Sequence, residues 1–483
     1  MSFMPRNIGM LHFVGIGGIG MSGIAEMLMG LGYQVQGSDA VEGANTRRLA
    51  EKGIGVMIGH HAANLMTATG AMPAAVVVSS AIKPDNPELE EAVRRNIPVV
   101  HRAEMLAELM RLKWSIGIAG THGKTTTTSM VGAMLEAGGM DPTVINGGIV
   151  NSYGTNTRQG GSQWMVVETD ESDGSFISLP LNAGVITNID PEHLDHYGSF
   201  AALKAAFAMF VQNLPFYGFA VLCADHRDVR ELIPQLSNRR LITYGFAPDA
   251  QVRASDVQLR ADGAVFDITV AGCVVKGDDR VFKGVRINVP GRHNVQNSLA
   301  AVAVGLALGM DEAGIRKGLE GFAGVKRRFT NAGQAGGVTV IDDYAHHPVE
   351  IRTVLATART VQAESGGRVI AVMQPHRYTR LANLIDDFAA CFVDADSVFI
   401  ADVYAAGEKP IEGADRDHLV AAARARGHED VSALESPDML AAILADKVRP
   451  GDMVVCLGAG SITNWAHALP GQLEPLLAKD KAA

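Results

Sequence analysis

The sequence predicts an α/β fold of three domains: an N-terminal Rossmann-like domain, a central P-loop ATPase-like mixed sheet and a C-terminal Rossmann-like domain. Three observations predict it. Strand-sized apolar runs alternate with amphipathic helical stretches along the chain. Glycine-rich strand-to-helix turns open the first two blocks, near residues 15–20 and 120–123. The chain's 483 residues, 47% of them hydrophobic, exceed what one core usually serves. The block that starts near Trp114 with the phosphate loop, and the basic run Lys326-Arg327-Arg328, set domains at 1–112, 113–325 and 326–483.

In the first block, residues 8–14 read as a buried strand, Gly15-Ile16-Gly17-Gly18-Ile19-Gly20 as a turn and residues 21–31 as a helix. The next strand, 33–37, leads to Asp39, about twenty residues past the glycines. At that spacing a Rossmann unit seats a pyrophosphate on a helix end and a carboxylate on a ribose. On spacing alone the ligand is NAD. Later strands fall at 75–79 and 97–100. His60 and His61 follow Gly59 in a loop, where either can bond a substrate phosphate or water.

The second block begins with Ser115-Ile116-Gly117-Ile118-Ala119-Gly120-Thr121-His122-Gly123-Lys124-Thr125-Thr126, an apolar strand running into glycines, a lysine and hydroxyls. Gly120 and Gly123 let backbone N–H groups turn toward an anion. Lys124 can reach terminal phosphates, and Thr125 can hold Mg²⁺. Ile118 stands where a P-loop of the usual length has its first glycine, so the loop is shortened. A strand at 164–167 leads into Glu168-Thr169-Asp170-Glu171-Ser172-Asp173. Glu168, nearest the strand end, is the best placed of these acids to ligate Mg²⁺.

A strand at 183–186 precedes Thr187-Asn188-Ile189-Asp190-Pro191-Glu192-His193-Leu194-Asp195, in which His193 is either a second-metal ligand, a phosphate contact or a structural histidine. Residues 257–270 alternate about Asp262-Gly263, an antiparallel hairpin. Gly291-Arg292-His293-Asn294 opens an Ala-rich helix ending near Gly309, and Lys326-Arg327-Arg328 marks the second boundary.

The third block alternates strands at 338–341, 369–373, 398–401 and 453–457 with amphipathic helices. Its polar residues cluster past strand ends, in Asp342-Asp343-Tyr344-Ala345-His346-His347-Pro348 and Gln374-Pro375-His376-Arg377-Tyr378-Thr379-Arg380, where open α/β sheets carry their sites. Two strand-end loops that present fixed cations suit a carboxylate, which arginine pairs in bidentate fashion.

Charge and cysteine usage narrow the classes. A formal charge of -10, with Lys and Arg scattered, gives no basic field for nucleic acid. The four cysteines stand far apart without a C-x-x-C pair, as reduced core thiols would. Neither a cleavable signal nor an apolar stretch of about 18 residues is seen, so the expectation is a cytoplasmic protein with no membrane partner.

A dinucleotide-type turn, a phosphate loop and cationic strand-end loops in one chain fit a ligase. A carboxylate is a poor electrophile until phosphorylated by ATP, after which an amine attacks the acyl phosphate. The glycine loop 120–126, Asp170-Glu171-Ser172-Asp173, Thr187-Asn188-Ile189-Asp190 with His193, Gly291-Arg292-His293-Asn294 and the two strand-end strings of the third block together resemble the Mur ligase family, over essentially the whole chain.

The resemblance implies ATP-dependent joining of L-alanine to the lactyl carboxylate of UDP-N-acetylmuramate, in peptidoglycan precursor synthesis, by a monomer or homodimer. It implies that the first block binds the UDP-sugar rather than NAD, through Gly15, Gly17, Gly18, Gly20, Asp39 and His61. ATP would be held by Gly120, Thr121, His122, Gly123, Lys124, Thr125, Thr126 and Asn294, with Lys124 on the β,γ-phosphates. Thr125 and Glu168 would take the first Mg²⁺ and His193 the second. Arg328 would reach the nucleotide or the transferring phosphoryl group. Tyr344, His347, Arg377 and Arg380 would hold alanine.

Sister Mur ligases carry a carbamylated lysine late in the helix after the histidine. Here that stretch reads Phe207-Ala208-Met209, with Lys204 earlier, so no carbamate is expected. Three alternatives stand beside this reading: a related ligase attaching a recycled tripeptide to UDP-N-acetylmuramate, an NAD-dependent dehydrogenase and a non-enzymatic nucleotide-gated scaffold.

Overall fold

The computed structural model describes residues 4–5, 7–66, 70–79, 81–363 and 365–480. Its strands form three sheets of five, ten and six strands. The chain divides into two compact units. The first comprises Met1–Ala254, Ile268–Phe282 and Asn297–Phe322, and the second Ser255–Asp267, Lys283–Gln296 and Ala323–Ala483.

In the first unit, β1 (Met10–Val14), β2 (Gln34–Asp39), β3 (Gly55–Ile58), β4 (Ala75–Val78) and β5 (Val99–His101) form a sheet of order β3-β2-β1-β4-β5. Every pairing in it is parallel. The order reverses beside β1, and the turn after β1 opens helix Ile19–Gly30 at that switch point, where doubly wound sheets bind ligands. The sequence places the strand and helix starts within a few residues of these bounds.

The second sheet contains β6 (Trp114–Ala119), β7 (Thr143–Val150), β8 (Thr155–Arg158), β9 (Trp164–Glu168), β10 (Ala183–Ile186), β11 (Phe219–Cys223), β12 (Leu241–Gly245), β13 (Val252–Arg260), β14 (Gly263–Val270) and β15 (Arg280–Ile287). Its order is β15-β14-β13-β12-β11-β10-β6-β9-β7-β8. The division between units runs across β13, β14 and β15, in the region of the expected hairpin.

The first two sheets share one buried core, in which Leu11, Phe13 and Leu28 join Ala119, Met165 and Val167. Small residues allow the approach. A Cβ on Gly23 of the first helix would collide with the Thr157 hydroxyl, and one on Gly30 with the Gln159 amide. Asn156 Nδ2 donates to the Ile19 carbonyl at 2.7 Å. Trp114 and Trp164 face each other in register at the opposite end of β6 and β9. Their rings lie 5.8 Å apart, with Tyr217 at 5.7 Å.

The second unit holds β16 (Thr330–Ala335), β17 (Val338–Asp343), β18 (Val369–Met373), β19 (Ser397–Ile400), β20 (Val431–Ala433) and β21 (Met453–Leu457), ordered β16-β17-β21-β18-β19-β20. It is parallel except for the β16–β17 pair. Two apolar clusters fill it, one around Phe388 and Phe392, the other around Leu440, Leu469 and Leu473. Among the described residues no helix is long and apolar enough to cross a membrane.

Candidate active site

The phosphate loop lies between β6 and helix Lys124–Ala137, and its conformation requires the two glycines. Gly120 has φ +134° and Gly123 φ +79°. A Cβ on Gly120 would strike the Thr187 hydroxyl, and one on Gly123 would come within 2.9 Å of Asn297 Oδ1. The segment after β10 braces the loop. His122 N donates to Asn188 Oδ1 at 2.7 Å, while Thr187 Oγ1 (2.7 Å) and Asn188 Nδ2 (3.0 Å) donate to the His122 carbonyl. Asp190 N donates to Thr121 Oγ1 at 2.8 Å.

Lys124 folds over this loop. Its Nζ donates to the Gly120 carbonyl at 2.6 Å, the Thr121 carbonyl at 3.2 Å and Glu171 Oε1 at 2.7 Å. Burial disfavours the ammonium, but the Glu171 carboxylate beside it overrides this and holds Lys124 above its ordinary pKa. Burial pushes Glu171 itself up, against the pull of Lys124. Thr125 Oγ1 donates to Glu168 Oε1 at 3.0 Å, and Gly147 N donates to Glu168 Oε2 at 2.5 Å. Two expected metal ligands thus come together at the start of the helix.

The third, His193, falls in a different group. Its ring nitrogen and the carboxylates of Glu171 and Glu192 put ligand atoms within 4.8 Å of one another. His193 itself has φ +55°, an unusual backbone for a residue with a Cβ. Among the described residues no hydrogen bond reaches Glu171 Oε2, which is buried. An orphaned carboxylate oxygen beside a second carboxylate and an imidazole fits a divalent cation. Glu192 was missed by sequence reasoning, although it adjoins His193. Lys204 donates to Asp228 Oδ1 at 3.0 Å and Glu231 Oε2 at 3.2 Å.

At the first sheet's switch point, Gly17 N donates to Asp39 Oδ2 at 2.8 Å. A Cβ on Gly17 would lie 2.8 Å from Thr46 Cγ2 and 2.9 Å from that carboxylate oxygen. Gly15, at φ +77°, donates its N–H to the Ser38 carbonyl at 2.8 Å. Gly18 caps the helix, whose first turn has no acidic residue. Gly20 faces Arg102, whose NH2 reaches Asp170 Oδ2 at 3.2 Å. Neither the spacing nor the motif pointed to Arg102. His61 is exposed, and its N–H is bound by Glu88 at 3.2 Å.

In the second unit the strand-end loops form a chain of rings and cations. Arg327 and Arg328 lie 4.8 and 5.3 Å from the Tyr344 ring centroid. Tyr344 meets His346 at 5.1 Å, His346 meets His376 at 5.7 Å, and His376 stacks on Tyr404 at 5.6 Å. An Arg380 guanidinium nitrogen sits 3.3 Å from His376 Nδ1. Burial, with His346, Arg380 and Arg377 nearby, lowers the His376 pKa to about 4. Arg377 has φ +69°, a strained backbone held by its N–H bond to the Tyr404 carbonyl at 2.9 Å.

His347 is buried and accepts from Val349 N at 3.4 Å as the cap of helix Pro348–Gln362, a role its motif did not indicate. Asn294 Nδ2 donates to the Pro290 carbonyl at 2.7 Å. In this unit His376 and Tyr404 join the expected set.

A shortened phosphate loop whose lysine, hydroxyl and carboxylate converge, in a chain of Rossmann-like sheets, defines an ATP-using α/β enzyme. Family models agree with this class. Residues 10–114 match the Mur ligase family catalytic domain, 118–305 the Mur ligase middle domain and 327–460 the Mur ligase glutamate ligase domain. The chain belongs to the Mur ligase family.

It is 59% identical to the UDP-N-acetylmuramate–L-alanine ligase of Acidiphilium cryptum, over 99% of this chain and 98% of that one. With the protein of the same name from Bradyrhizobium sp. it shares 58% identity, over 98% and 99%. Among solved structures it is similar to the UDP-N-acetylmuramate-alanine ligase of Thermotoga maritima, with TM-score 0.80, 29% identity and coverage of 97% and 99%. A murein peptide ligase from Psychrobacter arcticus shares the fold, with TM-score 0.69, 22% identity and coverage of 96% and 99%.

Proposed function

We propose that the protein is an ATP-dependent, ADP-forming ligase that joins L-alanine to the lactyl carboxylate of UDP-N-acetylmuramate, an early cytoplasmic step of peptidoglycan precursor synthesis. The observation that carries this reading is the 59% identity, over nearly the full length of both chains, with a ligase named for that substrate pair. Residues 1–112 take the nucleotide sugar, 113–325 the ATP and 326–483 the alanine. The working form is a monomer or homodimer.

A lactyl carboxylate oxygen attacks the γ-phosphorus, and the bond to the departing ADP oxygen breaks. The alanine amine then attacks the acyl carbon, loses a proton and expels inorganic phosphate. Lys124, kept protonated by Glu171, supplies positive charge to the β,γ-phosphates, and the loop N–H groups of residues 120–126 orient them. Thr125 with Glu168, and His193 with Glu171 and Glu192, are the side chains that hold Mg²⁺. When bound, Mg²⁺ supplies charge neutralisation at the phosphoryl oxygens.

Asn294 binds the adenine, and Arg328 stabilises the transferring phosphoryl group. Gly15, Gly17, Gly18 and Gly20 cradle the pyrophosphate, with Asp39 and His61 on the nucleoside side. Arg377 and Arg380 pair with the alanine carboxylate beside Tyr344 and His347.

Phosphate release, measured with UDP-N-acetylmuramate, ATP and alanine each omitted in turn, tests the reading. Release is expected only when all three are present. Release with the recycled tripeptide but not with alanine would refute the choice of amine.

A further inference from the structure

Beneath the ligand edge of the first sheet lies a buried carboxylate that the chemistry above does not use. Glu88, in the first turn of helix Pro87–Arg94, has 0% side-chain exposure. Its Oε2 accepts from His12 Nε2 at 2.8 Å and Ser38 Oγ at 2.7 Å. Its Oε1 accepts from Asn64 Nδ2 at 2.8 Å and His61 N at 3.2 Å, with His60 Nδ1 at 3.4 Å.

The donors fix the protonation pattern. Gln36 Nε2 donates to the Asn64 carbonyl at 3.0 Å, which orients its amide and turns the second N–H toward His12 Nδ1 at 3.2 Å. With the amide so oriented, His12 Nδ1 faces a donor and Nε2 carries the hydrogen given to Glu88. The charge resides on Glu88. Burial pushes its pKa up, but hydrogen bonds from His12, Ser38 and Asn64 override this and hold it near 2.

Because Ser38 gives its proton to Glu88, its oxygen accepts from His60 Nδ1 at 3.1 Å. That contact puts a ring hydrogen on His60 Nδ1 and makes Nε2 the nitrogen that can accept. The same Ser38 accepts, through its carbonyl, the N–H groups of Gly15 at 2.8 Å and Ile16 at 2.9 Å. One carboxylate thus braces both the glycine turn and the loop at residues 59–65.

We propose that Glu88 is a positioning residue for nucleotide-sugar recognition: it clamps the 59–65 loop to the strand ends and sets His60 to offer Nε2 as an acceptor to an N–H or O–H of the ligand's nucleoside. The inference rests on the reading of the first sheet as the UDP-sugar site.

Its test compares full-length wild type, Glu88→Gln and Ser38→Ala. Steady-state kinetics vary each substrate in turn, calorimetry follows UDP-N-acetylmuramate binding, and nitrogen NMR reads the labelled histidine rings. Glu88→Gln is expected to raise KM for the nucleotide sugar about tenfold, with kcat and KM for ATP within about twofold of wild type. Ser38→Ala, which removes one hydrogen bond to Glu88, is expected to give a rise of about threefold in the same KM alone. His60 should show the Nδ1–H form in wild type and lose it in both variants.

An unchanged nucleotide-sugar KM in folded Glu88→Gln, an equal rise for every substrate, or an Nε2–H His60 in wild type would overturn the proposal. Should Glu88→Gln fail to fold, Ser38→Ala decides on the same criteria. Wild type that does not bind the nucleotide sugar would refute the substrate reading instead, so the two failures are distinguishable.

Discussion

Lys124 is gripped by two backbone carbonyls and a buried carboxylate, so its ammonium is both charged and aimed. Lys124→Met should lower phosphate release by about 10²–10³-fold, the usual effect of deleting one electrostatic donor from a transition state. Circular dichroism of the variant separates that loss from unfolding. Arg377, fixed by its strained backbone, is expected to be sensitive even to lysine. Arg377→Lys retains charge but loses the planar fork, and should raise KM for alanine about tenfold while leaving KM for ATP unchanged.

Glu88 gives a pH signature. Its folded pKa, near 2, is depressed from 4.5, so its contribution is present above pH 4.5 and lost as pH falls through about 2. The shift corresponds to about 3 kcal/mol. Urea melts of wild type minus Glu88→Gln should show that difference shrinking between pH 4.5 and 2.

At the scale of elements, the loops' backbones carry as much of the site as their side chains. Gly120→Ala would place a methyl against the Thr187 hydroxyl at a φ that L-residues avoid, a strain of about 1–3 kcal/mol. ATP affinity by calorimetry should fall by at least about tenfold, while nucleotide-sugar affinity is retained.

The elements differ in how far the sequence discloses them. β10, β18 and β21 were predicted to the residue, because each is an apolar run buried on both faces. β7, β8 and β16 went unread. Their Thr, Asn, Gly and Gln residues have no apolar alternation, and pairing partners decide their conformation. The site divides similarly. Lys124, Thr125 and Glu168 follow one strand end or turn each and were legible. Glu171, as the partner of Lys124 and the third member of the group with Glu192 and His193, and Tyr404 stacked on His376 come from segments distant in sequence that only folding brings together.

For the whole molecule, the sequence's three blocks become three sheets in two compact units, because the first helix packs through Gly23 and Gly30 onto Thr157 and Gln159. Gly23→Leu should therefore destabilise the first unit by at least about 1–3 kcal/mol through overpacking.

The distribution of indoles makes that experiment readable. The chain has three tryptophans. Trp114 and Trp164 stand edge to face in the first unit, while Trp465 packs against the second unit's apolar cluster. Replacing Trp465 by phenylalanine leaves an emission spectrum that reports on the first unit alone, and replacing the other two leaves a lamp in the second unit. Thermal or denaturant titrations of the two single-colour proteins would show whether the halves lose their folds together or in turn.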